Sequence, residues 1–596
     1  MKTLLEFFSG DKTFKIPSYQ RDYAWEAENI EDIFNDIQEA IETNTNHFIG
    51  TFILSKNENE SEYKIVDGQQ RLTTLYMLLS VIVKQLDETR KAAFTFLFIT
   101  NTDGSKKLIL SGHTAKFFDD LLSDMNPTPT DKGQKRLAEA YKKISQQIAA
   151  LPKESVVRWA DVVKSFTVID FVEQNEGQAI RMFQSVNDRG VPLSNMDKAK
   201  SLLIYYSNRF LDGSLDEYIN EKFGDCFRHF DKIKDYAAED PYRIDLINRA
   251  DFSEDDVFRY HYLTFKYASL PLGVPFDFRA TIDSVLNKYL KPILKSLQSN
   301  RDLLGKFIEF YINDLTDFFS AFEKLLNLAR SKLRLYHLLI IQKLSANLYP
   351  LLIRMQVRGL LFGNHYKFLK KIFVADMRVY KIRGTFPQKD IFYLSHDAFD
   401  APPEEVCNRL LEFVQRFMND NAFRSSIQNQ LMYNNPGLNS IFTEKELCYI
   451  KRSPEYNVLD NSDKKAFLLN KMIEMVVKHQ TMEHILPQEP SFDPVEYGFN
   501  DEDDYYEVID GVGNLTLLTE HENSSYGAKS TDSKINDVGY YKSSYYKITS
   551  QLAYDLSANG RRFTKEVVQD RANDIAVFCV THWPLWEKLD KDVAVD

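Results

Sequence analysis

The sequence predicts an α+β protein built from several domains. A chain of 596 residues is too long for one hydrophobic core, so about two to four domains are expected. Short apolar runs of strand type alternate with helical patterns near both ends, whereas the centre carries long amphipathic stretches of helical period. The predicted domains are therefore 1–210 (strands and helices), 211–430 (helical) and 431–596 (strands and helices).

The first block contains three predicted strands and two predicted helices. The stretches "HFIGTFIL" and "EYKIVD" flank the turn-like "SKNENESE" and predict neighbouring strands, and "VVKSFTVIDF" predicts a third. The stretches "EGQAIRMFQSV" and "SNMDKAKSLLIYYSNRFL" predict helices. Ser194 or Asn195 suits the N-cap of the second helix, and Asp197 in its first turn suits the helix dipole.

The middle block predicts packed helices. Examples are "TIDSVLNKYLKPILKSLQ" and "LLGKFIEFYINDLTDFFSAFEKLLNLAR", whose aromatic stripes are expected to form core rather than platforms for stacked bases. The last block contains the acidic stretch "NDEDDYYEVID". It lacks the spacing of a calcium-binding EF-hand, so we expect a solvated loop there.

Charge and cysteine usage restrict the function classes. The formal net charge is −12, from 74 basic and 86 acidic residues, so a nucleic-acid partner would need local basic patches. The four cysteines are far apart and form no C-x-x-C pair, which argues against a disulfide framework or a cysteine zinc site. A reducing cytoplasm fits this usage. The sequence has no apolar run of about 18 residues, so no membrane span and no membrane partner are expected.

The stretch "KIVDGQQRLTTLYML" joins an apolar strand to a helix through a polar turn. The free N–H groups of a helix N-terminus attract anions, and a nearby arginine adds a planar fork suited to phosphate. Glycine permits close backbone approach, the glutamines can donate and accept, and the aspartate could orient the arginine or meet a metal bound to phosphate. The residues concerned are Asp67, Gly68, Gln69, Gln70 and Arg71. The same residues also fit a plain turn followed by a solvated arginine.

Four motifs in the first block occur in the order that is typical of one family. They are "IPSYQRDYAW", "FIG", "VDGQQRLTTL" and "NDRGVPLSNMD". This order resembles the S-half domain of GmrSD-type modification-dependent (type IV) restriction systems, which is similar to ParB and sulfiredoxin folds. The resemblance implies nucleotide binding by Gln20, Arg21, Asp67, Gly68, Gln69, Gln70, Arg71, Asn187 and Arg189. The chain has no Walker A sequence, so hydrolysis of GTP or ATP is implied by the resemblance alone.

A second constellation lies in the last block, in "TMEHILPQ", "GNLTLL" and "TEHEN". An acid–His pair, then Asn, then Asn or His over about forty residues is typical of a ββα-metal nuclease. His484 fits a general base, and Asn514 fits the residue whose carbonyl orients it. Glu483 and Asn523 offer oxygen ligands for Mg²⁺ or Mn²⁺, with His521 as a competing ligand. The same pattern also fits a hairpin that carries polar residues by chance.

These residues resemble the D-half domain of the same restriction systems, an HNH-like nuclease. The resemblance implies that Lys534, and Lys529 beside it, contact DNA. The family often has a further Asn after "SSYG", where this chain has Ala528 and Lys529, which leaves Asn523 the better ligand candidate.

Both resemblances together imply an antiviral endonuclease in one chain. The N-terminal domain would bind and hydrolyse a nucleoside triphosphate and sense modified phage DNA, and the C-terminal domain would nick or cut that DNA. A nucleotide-regulated nucleic-acid-binding factor and a toxin RNase are the alternatives. The sequence leaves open the DNA modification, the preferred nucleotide and whether the chain forms a homo-oligomer.

Overall fold

The structure is a computed structural model. It describes residues 1–17, 22–56, 61–174, 179, 194–267, 276–362, 366–527 and 529–585. The chain divides into two compact units, one comprising 1–231 and 282–316 and the other 232–281 and 317–596. Most described residues are helical, with one mixed sheet in the first unit and a two-stranded sheet in the second. The fold is therefore α+β, as predicted.

A six-stranded mixed sheet organises the first unit. Its strands are β1 (Lys2–Thr3), β2 (Thr13–Ile16), β3 (Phe48–Ser55), β4 (Glu62–Asp67), β5 (Leu108–Leu110) and β6 (Thr167–Glu173). Their order across the sheet is β1-β6-β3-β4-β2-β5. β3 pairs with β4 antiparallel, so the two strands predicted to be neighbours are confirmed, and the third predicted strand, β6, pairs parallel with β3.

Helices cover this sheet. They are α1 (Leu4–Phe8), α2 (Ala27–Thr43), α3 (Gln69–Gln85), α4 (Glu88–Phe94), α5 (Thr114–Leu122), α6 (Lys132–Ala149) and α7 (Lys153–Ser165). α3 is buried along nearly its whole length, from Leu72 to Val83, and it packs against α6 and α7. A helix buried on every side suits a sequence that is apolar around its circumference. The body of α3 thereby lies in the hydrophobic core of the first unit.

The predicted helix that begins after Ser194 is confirmed. It spans Asn195–Phe210, and the Ser194 hydroxyl accepts a hydrogen bond from the amide of Asp197 as an N-cap. The other helix predicted in this block, "EGQAIRMFQSV", lies outside the described residues.

The described residues of the middle block, 211–430, are predominantly helical, as predicted, and helices continue to Val477 in the block that was predicted to start at 431. The α-helices from 211 to 477 are Asp216–Ala238, Asp245–Asn248, Glu254–Tyr262, Ile282–Ser284, Lys291–Leu297, Arg301–Leu328, Leu333–Tyr336, Tyr349–Val357, Tyr366–Ala375, Gln388–Asp397, Pro403–Phe417, Asp420–Asn429, Leu438–Ile450, Pro454–Asn457 and Asn461–Val477. Wider π-helical turns occur at Thr95–Ile99, Val285–Leu290, His337–Ile341 and Asp376–Ile382. The aromatic stripe of Arg301–Leu328 is buried at Phe307, Phe318, Phe319 and Phe322, which confirms its assignment to the core.

A β-hairpin organises the C-terminal part of the chain. β7 (Gln480–His484) pairs antiparallel with β8 (Leu515–Thr519), and the helix Glu520–Tyr526 follows β8 directly. The other helices here are Glu502–Ile509, Thr531–Asn536, Lys547–Ala558 and Lys565–His582. Short 3₁₀ turns lie at Ala346–Leu348, Pro494–Tyr497, Val512–Asn514 and Tyr541–Ser543.

The acidic stretch at 501–504 is not the loop that the sequence predicted. Asp501 caps the helix Glu502–Ile509 by accepting the amide hydrogen of Asp504, and the acidic first turn suits the helix dipole. Tyr505 and Ile509, four residues apart, bury one face of this helix. The loop prediction is wrong because capping and burial outweigh the local excess of charge.

Among the described residues, none of the helices combines the length and the apolar character that crossing a bilayer would require.

Candidate functional site

His484 lies at the end of β7 and meets a carboxylate. Its Nε2 is 2.7 Å from Oδ1 of Asp510, and the His484 side chain is 10% exposed, against 30% for Asp510. Because an ionised carboxylate only accepts hydrogen bonds, this contact places the single proton of a neutral His484 imidazole on Nε2. Nδ1 then carries the lone pair, which is the arrangement that a general base needs.

Asp510 is itself held from several sides. Gln488 donates from Nε2 to the same Oδ1 at 3.2 Å, and the backbone carbonyl of Asp510 accepts from the amides of Met432 at 2.7 Å and Tyr433 at 3.1 Å. The ring of Tyr433 lies against the imidazole of His484, with the two centroids 4.2 Å apart. These contacts fix both members of the His484–Asp510 pair.

Asn514 is fully buried and serves the backbone rather than the imidazole. Its Oδ1 accepts from the amide of Leu486 at 2.9 Å, and its Nδ2 donates to the carbonyls of Leu486 at 3.0 Å and Ile509 at 2.8 Å. The expectation that the Asn514 carbonyl orients His484 directly is therefore corrected. The side chain joins the segment after β7 to the segment before β8, and Asp510 is the group that contacts the imidazole.

The turn before β8 is pressed against the helix Lys565–His582. A Cβ on Gly513 would lie 2.0 Å from the carbonyl oxygen of Val568, so only glycine fits at this approach. Arg571 of the same helix donates to the carbonyl of Gly513 and, at 3.1 Å, to that of Leu515. Burial lowers the pKa of Arg571 to about 10, and the guanidinium remains charged at neutral pH. The "GN" of the motif is thus positioned by packing.

Glu483 forms a buried ion pair. Its Oε1 lies 2.7 Å from Nζ of Lys534 and accepts from the hydroxyl of Tyr541 at 2.9 Å. Glu483 and Lys534 are 9% and 8% exposed, and a charge buried this deeply needs a partner. Lys534, predicted from the sequence to contact DNA, is instead held in the interior by Glu483.

The remaining candidates follow β8. The half-buried Asn523 lies in the helix Glu520–Tyr526, and its side chain makes no hydrogen bond to any described residue. His521 and Lys529 are exposed. Both hydrogen bonds of the Glu483 side chain use Oε1, so Oε2 and the Asn523 amide oxygen, which bond to none of the described residues, can serve as hard oxygen ligands. This donor set fits Mg²⁺ or Mn²⁺ better than a soft metal.

The side chains of the polar turn at 67–71 point to two different sides of α3. Gly68 precedes α3 with φ at 92°, and a Cβ there would lie 2.4 Å from the ring of Phe52. Arg71 turns toward β3, where Nη1 donates to the carbonyl of Thr51 at 3.3 Å and the guanidinium leaves no room for a Cβ on Gly50. The glycine of the "FIG" motif is required by its backbone, because a φ of 121° is a conformation that L side chains rarely adopt.

Burial and charge act on both ionisable groups of this turn. Burial raises the pKa of Asp67 and lowers the pKa of Arg71, while the attraction between the two opposes both shifts. No hydrogen bond or salt bridge joins them in the part of the chain that the structure describes, so Asp67 does not orient Arg71 by direct contact. Arg71 makes one hydrogen bond there, which leaves further N–H groups for an anion.

Gln69 and Gln70 face a cleft on the other side of α3. The cleft is open to solvent, has a cavity volume of about 40 Å³, and is also lined by Ile16, Pro17, Asp22, Tyr23, Thr73, Leu110, Ser111, His113 and Thr114. Gln70 accepts from the amide of Ala24 at 2.9 Å and donates to the carbonyl of Asp22 at 3.2 Å. Gln70 thus holds the backbone of the cleft wall.

Two domain models of one family match this chain. The GmrSD restriction endonuclease N-terminal domain matches residues 4–204, and the GmrSD restriction endonuclease C-terminal domain matches residues 419–577. Together they cover more than half of the sequence. The chain belongs to the GmrSD restriction endonucleases. No curated protein matches it.

As a GmrSD restriction endonuclease, the chain is a DNA endonuclease of phage defence, and its substrate is DNA. The C-terminal GmrSD match contains the whole hairpin and both members of the His484–Asp510 pair, and the N-terminal match contains the turn at Arg71 and the cleft. Gln20, Arg21, Asn187 and Arg189, the other predicted nucleotide-binding residues of this GmrSD chain, lie outside the described residues.

Sequence reasoning missed Asp510 and Tyr433. Asp510 lies only four residues before Asn514, inside "IDGVGN", so an acid at the edge of the Gly-rich turn was a usable signal. Tyr433 lies about fifty residues upstream of His484 and reaches it only through packing, which no local pattern of the GmrSD sequence indicates.

Replacing Asn514 is expected to destabilise the C-terminal unit. Asn514→Ala leaves two buried carbonyls and one buried amide without partners, at a cost of about 3 kcal/mol. Asn514→Asp should cost at least as much, because a second oxygen would then face the carbonyl oxygens of Leu486 and Ile509. Urea unfolding measures both losses.

The matched control for this pair is Asn559, an exposed residue of the same unit whose amide bonds to the carbonyl of Asp555. Asn559→Ala and Asn559→Asp should change stability by less than about 0.5 kcal/mol. If the Asn514→Asp chain unfolds at the same urea concentration as the wild type, the two hydrogen bonds donated by Asn514 Nδ2 contribute nothing to stability.

Proposed function

We propose that the C-terminal domain hydrolyses phosphodiester bonds of modified phage DNA, with His484 as general base. The observation that carries this proposal is the contact between His484 Nε2 and the Asp510 carboxylate, which leaves the lone pair of the neutral imidazole on Nδ1. An HNH-like nuclease of the ββα-metal type has the same chain order of strand, strand and helix.

His484 takes a proton from the attacking water at Nδ1. The imidazolium that forms is stabilised by the Asp510 carboxylate, which keeps Nε2–H engaged during the transfer. Tyr433 restricts rotation of the ring, and Asn514 fixes the backbone that follows His484. Asp510, Tyr433 and Asn514 are therefore positioning residues, whereas His484 is the residue that contacts the reacting water.

Glu483 and Asn523 would hold a hard divalent cation, Mg²⁺ or Mn²⁺. A cation bound there stabilises negative charge on the phosphate and on the leaving oxygen. Lys534 and Tyr541 bind the other oxygen of Glu483 and keep this side chain in one orientation. Lys529 is exposed and stays the candidate for contact with the DNA backbone.

The N-terminal domain binds a nucleoside triphosphate, GTP or ATP, and couples it to recognition of modified DNA. Support comes from the spare N–H groups of Arg71 on one face of α3 and from the cleft beside Gln69 and Gln70 on the other. We further propose a ParB/sulfiredoxin-like core for this domain, with hydrolysis of the nucleotide as its second activity.

The test is cleavage of matched modified and unmodified phage DNA by the purified full chain. Each DNA is incubated with Mg²⁺ or Mn²⁺, with and without GTP or ATP, and in EDTA, and a parallel reaction contains RNA. The expected result is cation-dependent cleavage of modified DNA that responds to nucleotide. Cleavage of RNA alone would replace the proposal with a toxin RNase, and binding of DNA without cleavage would replace it with a regulatory binding factor.

Arg71→Ala is expected to weaken nucleotide binding by about 10- to 100-fold, because a charge-assisted hydrogen bond to phosphate is lost. If the two domains are coupled, the rate of cleavage of modified DNA also changes, by roughly 5- to 150-fold. Calorimetric titration of the full chain gives the first quantity and a cleavage time course gives the second.

Arg90 provides the matched control, since it is an exposed arginine of the same unit that pairs with Asp87. Arg90→Ala should leave both quantities unchanged. A folded Arg71→Ala chain with wild-type nucleotide affinity would overturn the phosphate role of Arg71. If affinity falls while cleavage and its nucleotide response stay normal, the coupling is absent.

A further inference from the structure

Three metal-ligating side chains meet in the first unit, away from the hairpin. The Nε2 of His113 lies 3.1 Å from Oδ2 of Asp131 and 3.9 Å from Oδ1 of Asp22. One ligand atom from each residue lies within 4.8 Å of the other two. One imidazole nitrogen and two carboxylates at this spacing can all reach one ion.

The fold brings these residues together from three separate segments. His113 directly precedes α5, and Asp131 is the N-cap of α6. Gly133 in the first turn of α6 allows Asp22 to approach, because a Cβ there would lie 2.5 Å from the Cβ of Asp22. Gln70 holds the backbone on both sides of Tyr23. The cluster is thus built by packing and does not depend on one flexible loop.

The cluster borders the cleft beside α3. Asp22 and His113 line it together with Ser111. The Ser111 hydroxyl oxygen is shielded from solvent and has no hydrogen-bond partner among the described residues. A buried hydroxyl without a partner is costly, so this one points to a polar ligand in the cleft.

We propose that Asp22, His113 and Asp131 bind a divalent cation of the Mn²⁺ class. Two carboxylate oxygens with one imidazole nitrogen suit Mn²⁺, whereas Mg²⁺ and Ca²⁺ favour ligand sets made of oxygen alone. An ion at this place borders the cleft, so its remaining coordination positions are open to an anionic ligand there. The identification of this ligand as a nucleotide phosphate rests on the proposed function. The cation site itself does not depend on it.

The test measures Mn²⁺ binding to the full chain by electron paramagnetic resonance. The wild-type chain should bind Mn²⁺ with a nitrogen coupling from one imidazole, since the proposed hairpin ligands are oxygens. His113→Gln should remove that coupling. Asp22→Asn and Asp131→Asn should each weaken this binding by about 10-fold or more. Asparagine retains the N-cap of α6, so Asp131→Asn tests the ligand without removing the cap.

The matched control is His47, whose Nε2 lies 3.2 Å from Oδ2 of Asp36 in an isolated histidine–carboxylate pair of the same unit. His47→Gln should leave the nitrogen coupling and the affinity unchanged. The proposal is overturned if the wild-type chain shows no nitrogen-coupled Mn²⁺, or if the coupling survives His113→Gln and disappears in His521→Ala. If the wild-type chain shows nitrogen-coupled Mn²⁺ but does not cleave DNA, the result counts against the nuclease proposal and leaves the cation site standing.

Discussion

Replacing His484 with alanine is expected to lower the rate of DNA strand cleavage by about 10²- to 10⁴-fold, which is the usual contribution of a general base. DNA affinity should change little, because the His484 side chain is only 10% exposed and faces Asp510 and Tyr433. The measurement is a single-turnover cleavage rate at saturating DNA and saturating Mg²⁺, so that binding and chemistry are separated.

His521→Ala is the comparison for this variant, since His521 is an exposed histidine in the same domain. It should retain cleavage within a few-fold of wild type. If His484→Ala cleaves within a few-fold of wild type while His521→Ala does not, the base has been assigned to the wrong histidine. Melting curves of both variants show whether either loss reflects unfolding.

Asp510→Asn is expected to lower the cleavage rate by about 10²-fold, because an amide can donate to Nε2 and favour the wrong imidazole tautomer. The loss should fall on kcat, with little change in KM, since Asp510 acts through His484 and does not contact DNA in this mechanism. Asp510→Glu keeps the carboxylate and should recover part of the rate. If the role of Asp510 were purely structural, Asp510→Glu would cleave no faster than an equally stable Asp510→Asn chain.

Gln488 offers the control for this second prediction. It donates to the same oxygen of Asp510 at 3.2 Å but is exposed and does not contact the imidazole. Gln488→Ala should therefore remain within a few-fold of wild type. An Asp510→Asn chain that cleaves at the wild-type rate would show that the carboxylate does not select the working tautomer.

The sequence by itself determined the features that depend on neighbouring residues. The apolar runs of β3 and β4 identify strands through their composition and turn signals, and Ser194 marks a helix start because a hydroxyl can cap the next free amides. The motifs around Arg71 and His484 are contiguous, so their order along the chain was enough to identify both GmrSD domains.

The tertiary structure decided which side chains meet. The partner of His484 lies 26 residues away and that of Glu483 lies 51 residues away, so a local pattern can mark Asp510 as an acid beside a turn but cannot pair either side chain with its partner. Packing also placed Arg71 and Gln70 on opposite faces of the start of α3, although the sequence assigned them to one phosphate site. Strand and helix signals arise from short-range sterics and periodicity, whereas the partner of a buried charge depends on which distant segment fills the space beside it.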